Sequence, residues 1–303
     1  MTYLLASSPT VARILAVASL VLLAYSAKSA VDTRYPEPED GAVANGVFHD
    51  EYFGLSYPLP SGWAEDLKGP EPSAAGDYSL AALKPQAEMS ATIQISAQDN
   101  FFAANPADNA TDFLVRMKQH LDESLSAPDA VGSIVFGGQH FARLDYYGAG
   151  LYHSVFATEL RCHTLIFTIT SGGAEAIAGI AESLKKMTFS QNVRPQSSSQ
   201  SEPAKQWPLC LSDSEYSDHV ARRVTPAMVG PRYGSVPVRL LIGPDGKIEH
   251  IHAIAGVPEQ IKSVTEALAR WEFKPYILDN QPVEVETGIL FEFPQPPAQR
   301  TAK

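Results

Sequence analysis

"EALARWEFKPYILDNQPVEVETGILFEF" runs from Glu266 to Phe293, and its reading decides the fold of the second half of the chain. In its last part Val283, Val285, Thr287, Ile289, Phe291 and Phe293 fall on one face of a strand. Glu284, Glu286 and Glu292 fall on the other face, an acidic strip expected to be solvated. Asp279–Asn280 supplies the turn before the strand. Ahead of that turn, Ile261, Val264, Leu268 and Trp271 form one helical stripe. Pro258 and Glu259 open this helix, with Pro at a first-turn position that needs no N–H. Trp271, Phe273 and Pro275 are expected to belong to the core. The stretch holds no nucleophile and no metal-ligand spacing, so its order has to serve packing or recognition.

Upstream, "VPVRLLI" sets Val236, Val238, Leu240 and Ile242 on one face. "GPDGK" from Gly243 to Lys247 reads as a hairpin turn, because Asp-Gly favours the positive φ such turns need. "KIEHIHAIAG" is the return strand, and Ile248 and Ile251 break its alternation, which predicts a β-bulge there. The order is ββαβ, with the helix expected to cover the apolar face of a three-stranded sheet. His250 and His252 lie two apart and share a strand face. Such a pair can bind a metal, but no third ligand is evident, and Glu249 and Glu284 are guesses. Solvated histidines, with no metal and no cofactor, are the expectation.

Four features together resemble the C-terminal domain of the TonB energy transducers. They are the Pro-x-Tyr of Pro231 to Tyr233, the "PDGKI" hairpin, the helix ending "ALARWEFKPY", and "NQPVEVETGILFEF". The resemblance covers about 224–293. It implies recognition by strand addition, in which a sheet edge pairs with an extended segment of an outer-membrane receptor and the backbone supplies affinity. On that implication the partner-binding residues are Asn280, Val283, Val285, Thr287, Ile289, Phe291 and Phe293, and no catalytic residue is required. The chain departs from the family in the short step from Tyr233 to the first strand and in lacking a long Pro-rich rod.

The first half reads as antiparallel strands with helices before and after them. In "FGLSYPLPSGW", Phe53, Leu55 and Tyr57 share a face until Pro58 and Pro60 end the strand. "ATIQISAQ" alternates. "NPADNATDFLVRMKQHLDESL" is helical, with Phe113, Met117 and Leu121 on one face beside Leu114 and Leu125. Then follow "VGSIVFG", "QHFARLDYYG" and "LYHSVFATELRCHTLIFTITSG", the last being two strands joined near Glu159. "AEAIAGIAESLKKMTF" is a closing helix. These strands and the phrase "YFGLSYPLPSGW" resemble PsbP-like domains, which implies an α/β/α sandwich and little about activity. The fold class is therefore α+β, a sandwich on an antiparallel sheet followed by a small ββαβ domain.

The domain boundaries follow composition. Residues 1–30 carry an uncharged apolar run, Ile14 to Ala27, between Arg13 and Lys28. It falls short of the about 20 residues of a bilayer span and suits a signal peptide, or else a short anchor. Residues 31–45 read as a flexible leader, 46–189 as the PsbP-like domain, 190–207 as a Ser/Gln/Pro linker, 208–294 as the TonB-like domain and 295–303 as a loose tail. Export implies an oxidising compartment. The chain has two cysteines, Cys162 and Cys210. A bridge would tie the halves together, and two separate thiols are the equal alternative.

The net charge of -11 argues against nucleic acid and anionic membrane surfaces. Gly-x-Ser-x-Gly, P-loop and His-Glu-x-x-His motifs are absent. The expectation is an exported, periplasmic or secreted bacterial protein that is not an enzyme and works through a protein partner. Two alternatives stand beside it. One is an inner-membrane-anchored transducer. The other is a ligand binder or enzyme with a pocket near Asp145, Tyr146 and Trp63.

Overall fold

A computed structural model describes residues 35–66, 69–87, 91–128, 130–190, 207–229 and 233–293. The expected signal peptide, the bulk of the linker, Pro231 and the tail lie outside the described residues. The described residues from Pro36 onward form one compact unit. Within it the chain is α+β.

The first half begins with a 3-10 turn, Pro38–Asp40, and the strands β1 (Ala42–Ala44), β2 (Val47–Asp50) and β3 (Leu55–Pro58). Next come β4 (Trp63–Glu65), β5 (Asp77–Pro85), β6 (Ala91–Asp99) and helix α1 (Ala110–Gln119). The run β7 (Gly132–Phe136), β8 (Gln139–Gly148), β9 (Leu151–Leu160) and β10 (His163–Ser171) leads to α2 (Ala174–Leu184) and β11 (Thr188–Phe189). Seven strands make one antiparallel sheet in the order β4-β5-β6-β10-β9-β8-β7, and β1-β2-β3-β11 make a smaller one.

Alternation along the large sheet gives it two apolar faces. On one, Ala110 and Leu114 of α1 pack on Ala142, Leu144, Val155 and Ala157, and Asn109 caps the helix by accepting from the Asp112 N–H. The other face is aromatic: Phe136, Phe141, Phe156 and Phe167 meet edge to face. Tyr57 of the small sheet packs on Phe167 and shares a 2.7 Å hydrogen bond with Ser183 of α2.

The stretch expected to be a flexible leader is instead structured from Pro38. β1 pairs with β2 from Ala42↔His49 to Ala44↔Val47. The two-residue turn between them is Asn45-Gly46, both at positive φ, the geometry that matches strand twist in a tight hairpin. The first module thus starts well before residue 46.

Asp50, on β2, is buried. Its Oδ1 accepts from the Phe53 N–H at 3.0 Å, and its Oδ2 has no hydrogen-bond partner among the described residues. Burial pushes its carboxyl up to about 7. The folded protein therefore binds this proton more tightly than the unfolded chain, so stability is lost as pH rises from the unfolded value near 4 through 7. Asp50→Asn is expected to raise stability at pH 8 by about 2 kcal/mol, and to change little at pH 4, since a shift of this size bounds the gain at about 4 kcal/mol. Urea denaturation at the two pH values checks this.

The second half holds β12 (Leu209–Cys210), α3 (Asp213–Tyr216), β13 (Val220–Arg222), β14 (Gly234–Ile242), β15 (Ile248–Ala253) and α4 (Pro258–Leu268). It ends with β16 (Glu272–Phe273), β17 (Tyr276–Leu278), β18 (Gln281–Val283) and β19 (Val285–Phe293). The sheet is β12-β19-β14-β15. It has four strands rather than the expected three, because Leu209–Cys210 adds a parallel strand to β19. The bulge falls at Glu249, where Leu241↔His250 is followed by Ile242↔Ile248. The expected single closing strand is divided at Glu284: Val283 belongs to the β17–β18 hairpin, opposite Tyr276, around a turn at Asp279–Asn280. Helix α4 places Val264 and Leu268 against Val236, Val238, Leu240, Ile242, Val285 and Ile289.

Candidate functional site

The other face of this sheet packs on the first module. By register, Arg239 lies between His252 and Gly288, and Leu241 between His250 and Glu286. Glu286, read from sequence as part of a solvated strip, is instead buried among guanidinium groups. Arg161 donates to its Oε1, and Arg239 donates to its Oε2 at 2.8 Å. Arg239 also donates to Asp99 Oδ2 at 2.6 Å. Burial opposes the charge on Arg239, and Asp99 and Glu286 outweigh it, holding the guanidinium protonated. His163 is fully buried beside them and donates through Nδ1 to the Arg161 carbonyl at 2.6 Å. Burial, with Arg239 adding to it, pushes the His163 pKa well down, so the ring is neutral. Two cations thus face two anions. Gly288 is required here: a Cβ would come 2.5 Å from the Phe101 Cβ.

Arg161 and Cys162 form the two-residue turn between β9 and β10, with Leu160 opposite His163. Both have positive φ, 50° and 61°, a conformation that side chains other than Gly, Asn and Asp rarely adopt. Each is held from outside the hairpin. Arg161 stacks on Tyr52 at 3.8 Å and donates to the Tyr52 carbonyl at 2.8 Å. Cys162 is bridged to Cys210 at 2.03 Å, which settles the choice the sequence left open.

These contacts leave β19 with one open side. On its β12 side it receives the Leu209 N–H at the Glu284 carbonyl and the Leu211 N–H at the Glu286 carbonyl. β12 ends there, and among the described residues no strand pairs with that side of β19 farther on. Alternate residues of a strand aim their backbone groups the same way. The N–H and C=O groups of Leu290 and Glu292, both exposed, therefore line the open side, while Gly288 before them is buried against Phe101. The Leu290 side chain beside them is 49% exposed, and Tyr233, just before β14, is 64% exposed.

The side chains proposed from sequence for partner contact are placed differently. Val285, Thr287, Ile289 and Phe293 are buried, and Phe291 and Val283 pack partly buried against the same core. Asn280 is exposed at the hairpin tip. Trp271 and Phe273 lie in the core, and the Trp271 indole donates to the Val224 carbonyl at 2.7 Å. Pro275, expected beside them, is exposed. What β19 offers a partner is thus its backbone together with Leu290 and Glu292. Sequence reading missed Arg161, Arg239 and Asp99, although one arginine inside the apolar run Val236–Ile242 was a visible signal.

His250 and His252 are buried rather than solvated. Two glutamates of the N-terminal turn approach them. His252 Nε2 lies 2.9 Å from Glu39 Oε1 and 3.7 Å from Glu37 Oε2, and His250 Nε2 lies 3.5 Å from Glu37 Oε1. Burial raises the Glu37 pKa, but the adjacent imidazoles of His250 and His252 outweigh it, so the net shift is down. A separate cleft of about 430 Å³ lies on the large sheet, lined by Arg143, Asp145, Tyr146, His153 and Ser154 among others. Trp63, expected there, sits on the edge strand β4 instead.

No curated protein matches this sequence. Among solved structures, a cyanobacterial PsbP from Synechocystis sp. PCC 6803 is similar at 16% identity, over 50% of this chain and 96% of that one, with a TM-score of 0.35. LpqN of Mycobacterium tuberculosis, involved in cell envelope biogenesis, is similar at 10% identity over 45% and 82%, with a TM-score of 0.30. A protein of unknown function from Pseudomonas aeruginosa is similar at 16% over 52% and 97%, with a TM-score of 0.26. Residues 227–294, which hold the β14–β15 hairpin, α4 and β19, match the family model of the Gram-negative bacterial TonB protein C-terminal.

Proposed function

We propose that this chain is an exported, non-enzymatic protein of the bacterial envelope that holds a partner polypeptide by adding its strand to the open side of β19. The observation that carries the reading is the exposed edge at Leu290 and Glu292, which no described strand pairs with, on a module that matches the TonB C-terminal family. Strand addition draws its affinity from main-chain hydrogen bonds, so it is compatible with side chains that are committed to the core. An extended periplasmic segment of an outer-membrane receptor is the partner class that fits a TonB-type domain.

Photo-crosslinking residues placed at Leu290 and Glu292 in cells are expected to give protein adducts. The same residue at exposed Val115 of α1 should give none. Adducts absent from the strand, or equally strong from Val115, would sink the reading.

The cleft beside Asp145 favours a second reading, a small-molecule site on the first module. Arg143 pairs with Asp145 at 2.9 Å, Ser154 donates to the same carboxylate, and Tyr146 stacks on His153 with centroids 4.5 Å apart. A small molecule retained by the purified protein in native mass spectrometry would mark that reading.

A further inference from the structure

The two histidines of β15 and the two glutamates of the N-terminal turn converge from residues 213 positions apart. The turn fixes the glutamates: the Asp40 N–H donates to the Glu37 carbonyl at 3.0 Å, and Asp40 accepts back from the Glu37 N–H at 2.9 Å. The strand fixes the histidines, since residues two apart project on one face. Donor atoms of Glu37, Glu39 and His252 all lie within 4.8 Å of one another.

The spacings decide between hydrogen bonding and a shared ion. A hydrogen bond needs about 2.7–3.2 Å, which only the 2.9 Å contact of His252 with Glu39 meets. The 3.5 and 3.7 Å contacts of Glu37 are long for that purpose. Tetrahedral zinc with bonds of about 2.0–2.1 Å sets its ligands about 3.3 Å apart. The two His252 contacts straddle that edge at 2.9 and 3.7 Å, and all three donor atoms lie within 4.8 Å of one another, so closing on an ion takes shifts of about 1.5 Å at most. Oε2 of Glu39 is buried with no hydrogen-bond partner among the described residues. The donor types are selective too. Imidazole with carboxylate suits zinc and its neighbours, whereas calcium and magnesium require oxygen shells.

We propose that Glu37, Glu39 and His252 form a binding site for a divalent transition-metal cation of the zinc class, with His250 packed beside it. Two carboxylates balance the charge of such an ion, and the His252 imidazole completes a three-ligand set. The ion would staple the Glu37–Asp40 turn to the edge strand of the TonB-like sheet. The proposal is independent of the β19 reading.

The test uses the untagged full chain, stripped with a chelator and titrated calorimetrically with zinc salt alone. The expected result is one zinc per chain. His252→Gln and Glu39→Gln should each weaken binding by at least the about tenfold that even an outer-sphere partner of a metal is worth, with near-ultraviolet dichroism unchanged. Binding that is absent, or that survives the double change His250→Gln/His252→Gln, overturns the site. Should the variants fail to fold, cobalt added to the unaltered chain decides. An intense tetrahedral visible spectrum supports the site, and the pale spectrum of free aqueous cobalt overturns it.

Discussion

Arg239→Met is expected to lower the unfolding free energy by about 3–5 kcal/mol, the usual cost of breaking a buried ion pair by removing one partner. Methionine replaces much of the aliphatic volume, so the loss reports the charge. The variant leaves Asp99 and Glu286, both buried, with Arg161 as the remaining guanidinium of the network. Two anions then share one cation in a medium that solvates neither well. The fall should appear as a lower urea midpoint. The double change Arg239→Met/Glu286→Gln is expected to cost less than the sum of its parts, because it removes a charge together with its partner. A loss below about 1 kcal/mol for Arg239→Met would match a solvent-exposed pair and contradict the buried network.

Removing the bridge, as Cys162→Ala with Cys210→Ser, is expected to cost about 4 kcal/mol by the loop-closure relation, given the separation of 48 residues between the cysteines. The turn that carries Cys162 adds a local reason. Arg161 and Cys162 both occupy left-handed backbone, and once the bridge is gone only the Arg161 contacts hold that turn against relaxation. Thermal melts with and without reductant give the comparison for the unaltered chain. The disulfide and the ion network hold the same two surfaces together. The combined variant Cys162→Ala/Cys210→Ser/Arg239→Met should therefore depart from additivity, read as an interaction energy in a double-mutant cycle. Equal melting temperatures in oxidised and reduced protein would contradict a structural bridge.

The second module was legible where its local chemistry is strong. Pro258, the helical stripe and the Asp279–Asn280 turn each specify geometry within a few residues. Glu286 was misread because alternation assigns a polar residue to water unless another layer covers it, and the covering layer comes from residues more than a hundred positions away. The same blindness applied to His250 and His252, whose neighbours Glu37 and Glu39 sit in a Pro- and acid-rich stretch that composition marks as flexible. There the sequence did carry a counter-signal. Asn45-Gly46 is the strongest short hairpin signature, and it lies between "AVA" and "VFHD", short runs that could pair. Cys162 and Cys210 could not be paired from sequence, because their proximity depends on how the two modules dock.

The bridge also sets what the chain does under tension. Between Cys162 and Cys210 a pulling force passes through one sulfur–sulfur bond rather than through the intervening backbone. The oxidised molecule therefore unravels to a contour length shorter by about 160 Å, at about 3.3–3.6 Å for each of the residues spanned. A load on β19 reaches the β9–β10 hairpin through Cys210 without drawing out the linker, so the two modules are mechanically in series across a short, stiff joint.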